Sequence, residues 1–88
     1  MVQVDESVRI YRERFRLRVR IARETRYSQT AIAKLLRIKQ DKYKQYETRS
    51  MLPYEMLEDF CLACGVTIEW LVTGKGIGPD PKKKKQDK

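Results

Sequence analysis

Histidine is absent from this 88-residue chain, glycine occurs four times, proline three times, cysteine twice and tryptophan once. Without histidine, the commonest acid–base side chain and a frequent metal ligand are missing, which excludes His-based catalytic arrangements and mixed Cys/His zinc sites. Cys61 and Cys64 form a C-x-x-C, but no second pair exists, so one chain cannot close a four-ligand zinc site. A redox-active pair belongs at a helix N-terminus after a strand, whereas this one falls late in an apolar helical pattern; it reads as two reduced, packed thiols. Long apolar runs are also lacking, so no membrane span is expected. The opening Met1-Val2-Gln3-Val4-Asp5 does not resemble a secretory signal. A cytoplasmic location is expected. A chain of this length builds one small core and leaves no room for a substrate lobe. No enzyme activity, cofactor, metal or small-molecule substrate is therefore expected, and function must lie on the surface.

What the chain has in excess is positive charge: 20 Lys+Arg against 12 Asp+Glu, a net +8. Such an excess points to a polyanionic partner. Its distribution is uneven. Arg9, Arg12, Arg14, Arg16, Arg18, Arg20, Arg23 and Arg26 crowd one segment with only Glu13 and Glu24 opposing them. From Lys34 to Arg49 six bases face two acids, while Glu55 to Glu69 holds Glu55, Glu58, Asp59 and Glu69 and no base. A basic end and an acidic end are expected.

Hydrophobic periodicity predicts five helices and no strand. From about Ser7 to Arg26, Tyr11, Phe15, Val19 and Ala22 form one apolar stripe, and Ile10, Leu17 and Ile21 a second. Arg9, Arg12, Arg16, Arg20 and Arg23 share the remaining face, which is either a solvated surface or a set of phosphate contacts. Two stripes fit burial on two sides better than an amphipathic helix lying on a membrane. Ser28 is suited to cap a second helix that buries Ile32, Ala33, Leu35 and Leu36. A third helix follows after Ile38, with Tyr43 and Tyr46 inward. Pro53 suits the first position of a fourth, which buries Met56, Leu57, Phe60, Cys61 and Cys64 and ends at Gly65. Thr67 can cap a fifth, with Ile68, Trp70 and Leu71 inward and Gly74 as its stop. Residues 1–74 are read as the folded domain and 75–88 as a disordered basic tail. The "GKGIG" string lacks the spacing and flanking elements of a phosphate loop. The lysine run Lys82–Lys85 is either a solubilising tail or an electrostatic tether.

"SQTAIAKLLRIKQDKYKQYE", Ser28 to Glu47, reads as a packed helix followed by one that offers long polar side chains, which together make a helix-turn-helix. With Tyr43 and Tyr46 inward, positions 40, 41, 44 and 45 face out. Gln40 and Gln45 have the amide that pairs with adenine, Lys44 can donate to guanine or phosphate, and Asp41 can accept from cytosine. Asp41 has a second reading, as a cap of its helix or a partner of Lys44 or Gln45 within it.

This stretch closely resembles the helix-turn-helix of the Cro and CI type (XRE-like) repressors of phages and prophages. The matching residues are Ser28, Gln29, Ile32, Ala33, Leu36, Ile38, Tyr43, Tyr46 and Glu47, and "LPYEMLEDFCLACGVTIEWLVTG" is similar to the helices that follow in that family. The resemblance implies an all-α, five-helix lambda-repressor-like domain. It also implies sequence-specific binding to double-stranded DNA as a transcriptional regulator, a repressor in most such proteins, acting as a homodimer on a palindromic operator. It makes Lys39, Gln40, Asp41, Lys44 and Gln45 the groove-facing residues. It makes Ser28 and Gln29 phosphate contacts, with Lys42 adding charge and Arg37 standing near phosphate. Arg23 and Glu47 become a structural pair between helices. Arg37 stands where the family has a turn glycine, and Arg26 where a glycine ends helix one. An alternative is an antitoxin-like interaction module that binds DNA secondarily and uses the Ile10, Leu17 and Ile21 stripe for a protein partner.

Overall fold

The computed structural model describes residues 3–79, with side-chain surroundings from Glu6 onward. Five helices follow in order: α1 (Gln3–Glu24), α2 (Gln29–Leu35), α3 (Gln40–Thr48), α4 (Tyr54–Cys64) and α5 (Ile68–Thr73). There is no strand among the described residues, so the domain is all-α as expected. The core is one cluster: Phe15, Val19 and Ala22 from α1, Ile32, Ala33 and Leu36 from α2 and its end, and Tyr43 and Tyr46 from α3. Leu52, Phe60, Cys61, Cys64, Val66 and Leu71 complete it.

α1 starts earlier and stops sooner than the expected 7–26, because the amides of Arg26 and Tyr27 both turn back to the Arg23 carbonyl. Every residue from Glu6 to Arg14 is exposed, and burial begins at Phe15. The N-terminal half of α1 thus extends beyond the core, touching α5 through Tyr11, whose hydroxyl donates to the Val72 carbonyl (3.0 Å). The second stripe, Ile10, Leu17 and Ile21, is exposed rather than buried. Leu35 and Ile68 also face out, contrary to expectation, since each short helix has room on its inner side for only its central apolar residues.

Ser28 caps α2 by accepting from the Ala31 amide, and Thr67 caps α5 by accepting from Trp70. Pro53 precedes α4 at its cap position, one residue before the expected first helical position. The chain does not leave the fold at Gly74. The Thr67 amide donates to the Ile77 carbonyl (3.0 Å), and Gly78 lies so near Trp70 that a Cβ would fall 2.6 Å from the indole nitrogen. Residues 75–79 therefore return against α5, where a disordered tail was expected, and residues 80–88 of that expected tail lie outside the described residues. The Lys82–Lys85 run lies outside the described residues. Cys61 and Cys64 are free and buried, and burial pushes their thiols up to about 11 and about 12, which makes them poor nucleophiles at neutral pH.

α2 and α4 end in the same way. In each case the residue after a left-handed one bonds back five residues, Ile38 to Ala33 and Val66 to Cys61. At α4 the left-handed residue is Gly65 (φ 75), but at α2 it is Arg37 (φ 65), the one non-glycine residue with positive φ among those described. A side chain in this conformation costs about 1–2 kcal/mol, whereas glycine adds about 0.4–1 kcal/mol of unfolded-chain entropy. Arg37→Gly should therefore raise stability by about 0.5–1 kcal/mol, a gain of roughly 2–8 °C in Tm for a domain of this size. Gly65→Ala should lower it, because a Cβ there would stand 2.7 Å from the Arg26 guanidinium. Thermal denaturation of the two variants, moving in opposite directions, checks the assignment.

Candidate nucleic-acid interface

The segment from Ser28 to Glu47 is held in place by one carboxylate. Glu47 is only 3% exposed in its side chain and receives four donors. Arg23 reaches across from α1 with both Nε (2.9 Å, to Oε2) and Nη2 (2.9 Å, to Oε1), a bidentate pair. Gln29 donates from α2 through Nε2 (3.1 Å, to Oε1), and the Tyr43 hydroxyl donates to Oε2 from one turn earlier on α3. Arg23 also reaches the Tyr27 carbonyl in the loop between α1 and α2 (3.3 Å). Burial by itself disfavours the charged carboxylate, but the bonds from Arg23, Tyr43 and Gln29 together outweigh it and hold Glu47 below the usual carboxyl range. The Tyr43 hydroxyl is pushed well above the tyrosine range, first by burial and then by the carboxylate it serves, with Arg23 opposing. Arg23 itself is raised: its burial favours the neutral form, and its bonds to Glu47 win.

With Tyr43, Tyr46 and Glu47 turned inward, helical spacing fixes what α3 shows outside. Asp41, Lys44, Gln45 and Thr48, at i, i+3, i+4 and i+7, line one shallow surface that continues to Arg49. Gln45 is half-buried, and Asp41, Lys44, Thr48 and Lys42 are exposed, Lys42 lying outside that surface. Asp41 forms no hydrogen bond or ion pair among the described residues, so it has no intrahelical partner; it stands in the first turn of α3, where a negative charge suits the positive end of the helix dipole. Thr48 and Arg49 were missed by the sequence reading, although extending the i, i+3, i+4 spacing by one more turn finds Thr48.

The other expected residues are placed differently. Lys39 is the cap residue before α3, extended and exposed, and not part of the helix face. Gln40 is at the edge, its Oε1 accepting from the Thr30 hydroxyl (3.0 Å); its amide protons remain uncommitted. Gln29, half-buried, has one amide proton on Glu47 and one left for another acceptor. The Ser28 oxygen accepts from Ala31 (3.1 Å), leaving its hydroxyl proton to donate outward. Arg37 is exposed in the turn between α2 and α3.

The arginines of α1 and its loop do not all face a partner. Arg18 donates to the Leu71 (2.8 Å) and Val72 (2.9 Å) carbonyls at the end of α5, and Arg26 to the Ala63 carbonyl (3.1 Å) near the end of α4. These cations satisfy terminal carbonyls and the negative ends of helix dipoles. Arg9 pairs with Glu6 and Glu13, and Arg20 with Glu24. Arg12, Arg14 and Arg16 have no ion pair among the described residues. No group of acidic or cysteine side chains among the described residues could hold a metal ion, and no helix there is long and apolar enough to cross a membrane.

No protein-family model, curated protein or solved structure matches the chain.

Removing one partner of a buried ion pair costs about 3–5 kcal/mol, so Glu47→Ala should take away a large share of the total stability. Tyr43→Phe, which removes one bond to a charged acceptor, should cost about 1.5–3 kcal/mol and leave a folded domain. Because Glu47 is depressed on folding, its contribution is complete above its unfolded value near 4.5 and is lost as pH falls through the lower folded value. Denaturant titrations between neutral and strongly acid pH should show this loss, and Tyr43→Phe should make it smaller.

Proposed function

We propose that this chain is a sequence-specific double-stranded DNA-binding regulator of transcription, acting as a repressor, and that α2 and α3 serve as its helix-turn-helix. The observation that carries the reading is the anchoring of α3. Its inner side is fixed by Tyr43, Tyr46 and the Glu47 cluster, while Asp41, Lys44, Gln45 and Thr48 stand outward with no partner among the described residues for their side-chain polar atoms except a Thr48 bond to its own helix. A helix held rigidly from behind, with hydrogen-bonding side chains in front, suits base reading in the major groove. Lys44 on that face, Arg49 at its end and the exposed Lys39 and Lys42 of the same segment supply positive charge, which suits phosphate, whereas Arg37 lines a separate groove with Asp59, Leu62 and Ala63 of α4. Gln29 and Ser28, each with a proton still to donate, suit backbone contacts beside it.

In this reading the protein works in the cytoplasm, as a homodimer on a palindromic operator of the Cro and CI type, without catalysis or cofactor. Selection from a random duplex pool should enrich a site with two related halves at fixed spacing, and no enrichment would defeat the proposal. Gln45→Ala, and to a smaller degree Gln40→Ala with its oxygen already engaged by Thr30, should relax preference at single base pairs. The expected cost is about 1–3 kcal/mol for each lost bidentate contact. Gln29→Ala should weaken binding to all sequences alike.

A second reading has one observation in its favour. Ile10, Leu17 and Ile21 form an exposed apolar line on α1, with Leu17 52% exposed, which nothing among the described residues covers. In the DNA-binding reading a second copy covers it; in an antitoxin-like module a different protein does. Light scattering distinguishes them: a dimer that Leu17→Asp dissociates favours the first, and a chain monomeric by itself that co-purifies stoichiometrically with a small native protein favours the second.

A further inference from the structure

The outward face of α3 does not end with the helix. Arg49, the residue that closes α3, also lines an open groove with Val8, Arg9, Arg12 and Arg16 of α1. Arg9 in that groove is offset by Glu6 and Glu13. Arg12, Arg16 and Arg49 form no ion pair among the described residues, so three unpaired guanidiniums line one concavity, which shares Arg49 with the α3 surface where Asp41 is the one acid. Other arginines of the segment show that pairing was available: Arg18, Arg23 and Arg26 bind inside the fold, and Arg20 holds Glu24. Like charges brought together in a concave wall repel one another and concentrate a positive field, an arrangement that an anion relieves. Guanidinium forks match the oxygens of phosphate in particular.

The cations form a line rather than a point: Arg12 and Arg16 are one helical turn apart, about 6 Å along the α1 axis, and Arg9 to Arg16 spans about 10 Å. A line of cations suits a polyanion whose charges repeat along a strand, as the phosphates of DNA do. We propose that this arginine groove seats the sugar–phosphate backbone flanking the bases read by α3, so that the middle of α1 and the end of α3 clamp one strand. The inference rests on the DNA-binding reading and adds to it a sequence-blind contact surface on α1. The groove contributes affinity and register, and α3 contributes base preference.

The test compares salt dependence. The full chain and its Arg12→Gln, Arg16→Gln and Arg49→Gln variants, single and combined, are titrated onto the selected duplex and onto a scrambled duplex of equal length from 50 to 300 mM salt. Arg14→Gln is the control. It removes the same charge from the same helix but lies in the separate groove between α1 and α5 with Ser7, Ile10, Tyr11 and Arg18. The triple variant, verified as folded by its thermal transition, should reduce the slope of log K against log salt by about 2–3 and weaken both duplexes roughly 100-fold at 0.1 M salt, with the same base preference. Arg14→Gln should leave the slope within about half a unit of the parent chain. A triple variant with unchanged slope overturns the proposal. So does an Arg14→Gln effect equal to that of Arg12→Gln, which would mean bulk charge alone. So does loss of binding to phosphatidylserine vesicles with duplex binding intact. A parent chain with no preference between the duplexes defeats the α3 reading instead, and the contrast of the triple variant with Arg14→Gln still decides the groove. A parent chain that binds neither duplex overturns both.

Discussion

The arrangement of this domain depends on a single buried carboxylate. Glu47 would be costly to desolvate alone, and it is tolerated because Arg23, Gln29 and Tyr43 supply donors from three helices to its two oxygens. The same bonds that keep it charged fix the relative placement of α1, α2 and α3. α3 has only nine residues, too few to be stable alone, so its orientation comes from this cluster and from the buried rings of Tyr43 and Tyr46, packed edge to face at 6.3 Å. The outward side of α3 is defined by what its inward side holds.

The arginine-rich segment shows a comparable division of labour. In sequence it looks like one basic block, but folding sorts its members by what lies within reach of each guanidinium. Those that meet a helix end or the Glu47 carboxylate become part of the architecture, and those with a glutamate one turn away are neutralised on the surface. The few that remain unpaired gather on two sides of α1, one of them adjoining α3. The number of arginines thus overstates how many stand unpaired at the surface, and part of that unpaired remainder lies near Arg49. The acidic residues Glu55, Glu58, Asp59 and Glu69 are all exposed on α4 and α5.

Much of the fold was legible because it rests on local signals. Ser28, Thr67, Gly65 and Gly74 mark helix ends through capping chemistry that needs no tertiary knowledge, and the spacing of Phe15, Val19 and Ala22 locates the inner line of α1. The Arg23 and Glu47 pair was legible only through family resemblance, since nothing in composition links residues 24 positions apart. What stayed hidden depends on neighbours in space. Leu35 and Ile68 carry the right periodicity, yet no element covers them. Arg18 and Arg26 carry charge, yet they serve carbonyls that only the folded chain brings near. Arg37 lies in a left-handed turn because the bond from Ile38 to Ala33 demands it, although its side chain disfavours the conformation. Residues 75–79 look like a linker in composition, and their return to Thr67 is a backbone hydrogen bond to which side-chain identity gives no clue.

The opposite displacements within the Glu47 cluster bear on how such a domain could be controlled. Its carboxyl titrates lower than usual, its tyrosine and the two core thiols higher, and the side chain that ordinarily changes charge near neutrality is not encoded at all. The internal framework therefore keeps one protonation state across the range in which cells vary their acidity, and protons have no handle on the orientation of α3. Under the DNA-binding reading proposed above, α3 would be presented in one geometry throughout that range, and pH would act on binding only through groups outside this framework.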